Sequence, residues 1–149
     1  KNGLVSGEAV VFLEPRFAEN FKFRRKQAMQ LSSKMRYVSA QFEAYLEGEL
    51  WLKNARHANA MAQLLARDVS SVPGVTITQP VQANGVFARV PAQVIPKLLE
   101  SYFFYVWDDR GAGGKADGTK EVRWMCSFDT QMEDIQTFVD VLRGLLTES

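Results

Sequence analysis

Three groups of residues in this 149-residue sequence have side chains that could do chemistry. Lys1 supplies a primary amine at the first position, ahead of two glycines and a short apolar run. Six cations and no acid fall within residues 21–36. Arg123 lies in a segment with the alternation of a strand. These residues suggest imine formation with a carbonyl compound and the binding of anions.

Lys1 precedes Gly3 and Gly7 and then the apolar run 9–13. Pyridoxal phosphate requires a primary amine to form an imine, and among side chains only lysine supplies one. A lysine on a glycine-bearing turn before a buried strand is typical of enzymes that use this cofactor. The alternative is a terminal lysine without a role, which position alone favours.

The cations of segment 21–36 are Lys22, Arg24, Arg25, Lys26, Lys34 and Arg36. Without acids among them, they predict a nearby anion: a phosphate, a carboxylate or an acidic partner surface. A solvated helix face, paired with acids elsewhere, is the alternative.

Strand alternation places Arg123 on the same face as Glu121 and Met125, opposite Val122 and Trp124. An arginine on a rigid strand is suited to a bidentate grip on a carboxylate. The alternative is a surface arginine paired with Glu121.

Composition and the remaining reactive residues exclude several classes of function. The formal net charge of +1 gives no argument for nucleic acid or an anionic membrane. The single cysteine, Cys126, excludes an internal disulfide and favours the cytoplasm. The single histidine, His57, has no cluster of ligands around it in sequence, so we predict helix packing or hydrogen bonding for it and no metal site.

The periodicities predict a strand at 9–13, helices at 16–27, 35–46 and 50–69, and then a β-β-α-β-β-α order closed by a helix at 130–146. We expect an α/β to α+β fold: one strand and helices, followed by a small α+β domain with a mainly antiparallel sheet. The predicted domains are 1–48 and 49–149. Strand 9–13 has no partner nearby in sequence and is expected to complete a sheet contributed by other residues.

The sequence resembles bacterial low-specificity L-threonine aldolases, in the β-eliminating lyase/threonine aldolase group of fold-type I pyridoxal-phosphate enzymes. The resemblance covers essentially the whole chain. The segments that carry it are Lys1-Asn2-Gly3 with Gly7-Glu8, Arg24 to Gln27, Ser33 to Phe42, His57 to Ala60, and Val122-Arg123. It implies that the chain is the C-terminal portion of a longer enzyme, with residues 1–48 ending the cofactor-binding large domain.

The resemblance also implies roles for four residues. Lys1 matches the lysine that holds pyridoxal 5′-phosphate as an aldimine, and Arg123 matches the arginine that binds the substrate α-carboxylate. Lys26, and less directly Arg36, match cofactor-site cations that act near the neighbouring subunit. Residues 27–34 depart from a shorter, glycine-rich segment in many relatives, and Ser127 stands where many carry a histidine.

The implied reaction is cleavage of L-threonine or allo-threonine to glycine and acetaldehyde by a cytoplasmic homodimer or homotetramer. Its N-terminal part would supply most of the cofactor pocket, so the isolated chain is expected to be inactive. Two alternatives stay open: a related lyase or aminotransferase acting on another amino acid, and a non-catalytic α+β module that binds anions or a partner.

Overall fold

The computed structural model describes residues 2–107 and 118–147. Lys1 and residues 108–117, which form most of a polar, glycine-bearing stretch of the sequence, therefore lie outside the described residues. The chain divides into two compact units, one ending at Lys53 and one beginning at Asn54.

The first unit is built from short helices. Single 3₁₀ turns span Pro15–Ala18 and Glu47–Glu49, and helices α1 and α2 span Phe21–Gln27 and Arg36–Leu46. The helix predicted at 16–27 is split because Asn20 adopts a left-handed backbone, with a φ of 60°. Asparagine tolerates that conformation better than most residues do, so the break is local in origin.

The predicted strand at 9–13 does not form in the structure. Residues 9–11 have neither helical nor strand structure, and Val11 and Leu13 are 80% and 93% exposed. A strand needs partners for its backbone N–H and C=O groups, and among the described residues no strand pairs with this segment. Most of the apolar run stays exposed, although the Phe12 ring meets the Phe21 ring edge-on at 4.9 Å.

Residues that follow Lys1 are attached to α2. The Asn2 side-chain amide donates to the Tyr45 hydroxyl, and the Gln41 side-chain oxygen accepts from the N–H groups of Val5 and Ser6, both at 3.1 Å. Gly7 has a φ of 154°, and a Cβ there would come within 2.9 Å of the Phe42 ring. The glycine is therefore required by close packing as well as by backbone conformation.

The second unit is a four-stranded sheet with helices. Its sheet order is β1-β2-β4-β3, and every neighbouring pair is antiparallel. The strands are β1 Thr76–Ile77, β2 Gly85–Pro91, β3 Tyr105–Val106 and β4 Thr119–Met125; the helices are α3 Leu50–Val69, α4 Ile95–Ser101, preceded by a 3₁₀ turn at Ala92–Val94, and α5 Met132–Thr147. This is the small α+β arrangement that the sequence predicts.

The core of the second unit packs against one face of the sheet. The buried side chains of β2 and β4 belong to one hydrophobic cluster with those of α3, α4 and α5. Its best-buried members include Val69, Val86, Leu98, Val122 and Leu142. Because side chains alternate along a strand, the other residues of β2 and β4 lie on the opposite face.

Helix α5 begins two residues later than predicted, and its cap is displaced. Thr130 and Glu133 have the sequence spacing of a capping box. Instead the Asp134 carboxylate accepts from the Gln131 N–H at 2.8 Å, and the Thr130 hydroxyl accepts from the Ser127 N–H at 2.8 Å. Among the described helices, none is long and apolar enough to span a membrane.

Candidate functional site

Arg123 lies on the face of the sheet that is turned away from the hydrophobic core. It belongs to β4, where Val122 and Trp124 on either side of it are buried. Its direct cross-strand neighbours are Phe87 on β2 and Tyr105 on β3. The predicted alternation of β4 is therefore present, and the arginine stands between two aromatic side chains on a rigid surface.

Two aromatic rings lie against the Arg123 side chain, and a third packs against one of them. The guanidinium carbon lies 4.8 Å from the centre of the Trp107 ring and 5.1 Å from that of Tyr105, both cation–π distances. Trp107 in turn meets the Phe87 ring edge-on, with centroids 5.3 Å apart. We call Phe87, Tyr105 and Trp107 the aromatic frame. It restricts a long side chain that would otherwise sample many rotamers.

The Arg123 guanidinium has no carboxylate partner among the described residues. Glu121, the predicted alternative partner, accepts a hydrogen bond from the Thr78 hydroxyl and lies opposite Arg89 in the strand register. The Nε atom of Arg123 is buried and lacks a hydrogen-bond partner. A buried, unsatisfied polar atom carries a free-energy cost, which an incoming anion would offset.

The first unit contains the other predicted site residues. Lys1 lies outside the described residues. Lys26, in α1, and Arg36, at the start of α2, are both exposed. The Arg36 guanidinium carbon is 5.1 Å from the centre of the Tyr37 ring. Among the described residues, neither Lys26 nor Arg36 has a carboxylate partner.

The first unit also has an open cleft of about 1280 Å³. Arg24 and Arg25 line it, whereas Lys26 and Arg36 do not. The Nε atom of Arg25 is buried without a hydrogen-bond partner. In the sequence, Arg25 is one of six cations in segment 21–36. Its spacing of four residues from Phe21, which also lines the cleft, was the signal that could have placed it there.

His57 has the structural role predicted for it. Its Nε2 donates to the Thr130 carbonyl at 2.7 Å, which links α3 to the segment between β4 and α5. No group of three or more His, Cys, Asp or Glu side chains within residues 2–107 and 118–147 is arranged to hold a metal ion.

Cys126 is buried at the end of β4, at 3% exposure. Two hydrogen bonds tie it to Asn84: its N–H donates to the Asn84 carbonyl at 2.9 Å, and the Asn84 amide donates to its carbonyl at 2.8 Å. Burial penalises the thiolate and raises the pKa of Cys126 from 9.0 to about 11.

We expect the Cys126 thiol to resist alkylation in the folded chain. The thiolate is the reactive form. An increase of the pKa from 9.0 to about 11 should therefore slow the reaction of Cys126 with iodoacetamide at pH 8 by about 100-fold relative to an ordinary thiol. The rate should increase as the pH approaches 11. Mass spectrometry of the alkylated product gives the rates, with the chain unfolded in guanidinium as control; equal rates in both states would contradict the prediction.

Comparisons with known proteins bear on what this arrangement is for. No family model matches the sequence. The chain is 39% identical over 148 residues to low specificity L-threonine aldolase from a Pseudomonas species, covering 99% of this chain and 40% of that protein. It is 41% identical over 144 residues to the enzyme of the same name from Pseudomonas aeruginosa, covering 96% of this chain and 39% of that protein.

Solved structures give a consistent result. Threonine aldolase from Leishmania major matches with a TM-score of 0.71 and 25% identity, over 84% of this chain and 35% of that one. An aminotransferase from Streptoalloteichus hindustanus matches with a TM-score of 0.54 over 92% of this chain and 47% of that one, at 16% identity, which bears on the fold alone.

The chain therefore has a fold found in part of a threonine aldolase and in part of an aminotransferase. The predicted resemblance to bacterial low-specificity L-threonine aldolases is confirmed. The chain spans about 40% of the length of the curated relatives it matches.

Proposed function

We propose that this chain is part of a pyridoxal-phosphate-dependent aldolase that cleaves L-threonine or allo-threonine to glycine and acetaldehyde. The observation that carries the proposal is Arg123, held in the aromatic frame with no carboxylate partner among the described residues. The proposed reaction is inferred from the low specificity L-threonine aldolases to which the chain is about 40% identical.

Arg123 binds the α-carboxylate of the substrate in this proposal. Its planar fork of donors matches a carboxylate in two parallel hydrogen bonds, and a strand holds it more rigidly than a loop would. Fixing the carboxylate restricts rotation about the substrate's N–Cα bond and so orients the Cα–Cβ bond, which is the bond that breaks. The β-hydroxyl proton must leave as that bond breaks, and Cα must then gain a proton to yield glycine.

The described residues fit only the outer part of a cofactor site. Lys26 and Arg36 are exposed cations that suit a phosphate group or an acidic surface, and we propose them as cofactor-site contacts near a subunit boundary. Lys1 would hold the cofactor covalently through its amine. When bound, pyridoxal phosphate supplies an electron-withdrawing ring that accepts the charge of the breaking bond.

We further propose that residues 1–48 end a large domain whose remaining residues pack against them. The first unit leaves large apolar side chains in solvent, among them Val5, Leu13 and Met29, at 92%, 93% and 89% exposure. We take this exposure of large apolar side chains as support for a surface that another segment or subunit covers. Residues 49–149 would form the small domain, and a homodimer or homotetramer would complete each site.

The full-length protein that carries this chain provides the test. It should convert L-threonine to glycine and acetaldehyde in equimolar amounts, only with pyridoxal phosphate added or retained, and the isolated 149-residue chain should show no saturable cleavage. Pyruvate and ammonia as products would indicate a β-eliminating lyase instead. Saturable turnover by the isolated chain would contradict the proposed dependence on further residues.

A further inference from the structure

We propose that Trp107 and Tyr105 are positioning residues for Arg123, and that they set the affinity of the site for an α-carboxylate. The inference rests on the proposed function of Arg123. It assigns to two aromatic side chains the task of presenting one guanidinium in a fixed orientation. Neither ring is proposed to touch the reacting atoms.

Both rings are held by contacts of their own. The backbone N–H of Trp107 donates to the Glu121 carbonyl at 2.8 Å, which extends the β3–β4 ladder by one bond. The Trp107 ring packs edge-on against the Phe87 ring. Tyr105 pairs directly with Arg123 across the strands, and its ring meets Phe103 edge-on at 5.3 Å. The rings are therefore preorganised.

The arrangement has a consequence for the arginine. A free arginine loses considerable rotamer entropy when it binds an anion. Between two ring faces, with Nε already buried, Arg123 has lost most of that freedom before a ligand arrives. Preorganisation of this kind raises affinity by lowering the cost of binding. The charge of the carboxylate does not change as the Cα–Cβ bond breaks, and Arg123 itself remains when a ring is replaced, so loss of a ring should raise KM more than it lowers kcat.

Glycine, which carries the α-carboxylate and is the expected product, is a direct probe of this site. Its Kd for the full-length holoenzyme is measured by isothermal titration calorimetry. We expect Trp107→Leu to weaken glycine binding about tenfold, because a cation–π contact is lost. Trp107→Phe keeps a ring face and should restore most of the affinity. Phe128→Leu replaces an exposed aromatic residue outside the aromatic frame and should leave the Kd unchanged.

A double-mutant cycle separates positioning from general support of the sheet. In an Arg123→Ala background, Trp107→Leu should weaken glycine binding no further, because there is no guanidinium to orient. Additive effects of the two substitutions would overturn the inference, as would equal Kd values for wild type and Trp107→Leu. If Trp107→Leu does not fold, Tyr105→Leu enters the same cycle with the same expected pattern.

The outcomes distinguish this inference from the function on which it rests. If Arg123→Ala alone leaves the Kd of glycine unchanged, the carboxylate role of Arg123 fails, and the positioning role fails with it. If Arg123→Ala weakens binding while Trp107→Leu and Tyr105→Leu do not, only the positioning role fails. For threonine cleavage, the supporting result is a raised KM with kcat changed by less than about twofold.

Discussion

Replacing Arg123 with alanine in the full-length enzyme should lower kcat/KM for L-threonine by about two to three orders of magnitude. Removing one partner of a desolvated charge pair costs about 2–5 kcal/mol, and each 1.4 kcal/mol is a factor of ten. The effect should lie near the middle of that energy range because the Nε atom of Arg123 is buried whereas the side chain as a whole is only half-buried. Steady-state kinetics of acetaldehyde release give the ratio.

Two further variants make the Arg123 result specific. Arg123→Lys keeps the charge but loses the planar fork, so it should recover only part of the activity. Arg143→Ala removes an exposed arginine on α5 that pairs with Asp140 at 3.0 Å, and it should change kcat/KM by less than about twofold. Circular dichroism checks that each variant is folded. An unchanged specificity constant in Arg123→Ala would exclude it from carboxylate binding.

The amphipathic helices and the two long strands were predictable from sequence because their periodicity is strong. The pattern at 50–69 predicted α3 with the bounds that the structure has, and α2 begins one residue later than predicted. Alternation in β4 correctly assigned Arg123 to the face opposite Trp124. In both cases one face is buried and the other is not, and this asymmetry is what a periodic pattern records.

The predicted strand at 9–13 shows where such patterns fail. An apolar run reports that a segment is suited to burial, but not which segment will cover it. A strand also requires a neighbouring strand for its backbone hydrogen bonds. Among the described residues no strand pairs with segment 9–13, and Val11 and Leu13 are exposed. The break at Asn20 was missed for a different reason: one residue in a left-handed conformation interrupts a helix without changing its apolar spacing.

The aromatic frame could not be predicted because it depends on register. Phe87, Tyr105 and Trp107 are far from Arg123 in sequence, and each meets it only once the pairing of β2 and β3 with β4 is known. A register shifted by one residue would place Phe87 and Tyr105 on the core side. The sequence therefore placed Arg123 on the face opposite Trp124 but could not predict which rings lie beside it.

Replacing Lys1 with alanine should abolish threonine cleavage by the full-length enzyme. No other side-chain type can hold pyridoxal phosphate through a primary amine. The residues that follow Lys1 are hydrogen-bonded: the Asn2 side chain donates to Tyr45 in α2 and to the Trp51 carbonyl in α3, and Val5 and Ser6 donate to Gln41 in α2.

Borohydride reduction provides a readout for Lys1 that does not depend on turnover. Reduction fixes the carbon–nitrogen link, and mass spectrometry of the digested protein should then locate the cofactor on the peptide that contains Lys1. Lys97→Ala, which removes an exposed lysine on α4, should leave both labelling and activity intact. Labelling at another lysine, or wild-type turnover in Lys1→Ala, would contradict the assignment. Loss of activity with cofactor still bound non-covalently would agree with it, because binding would then persist without the covalent attachment that Lys1 supplies.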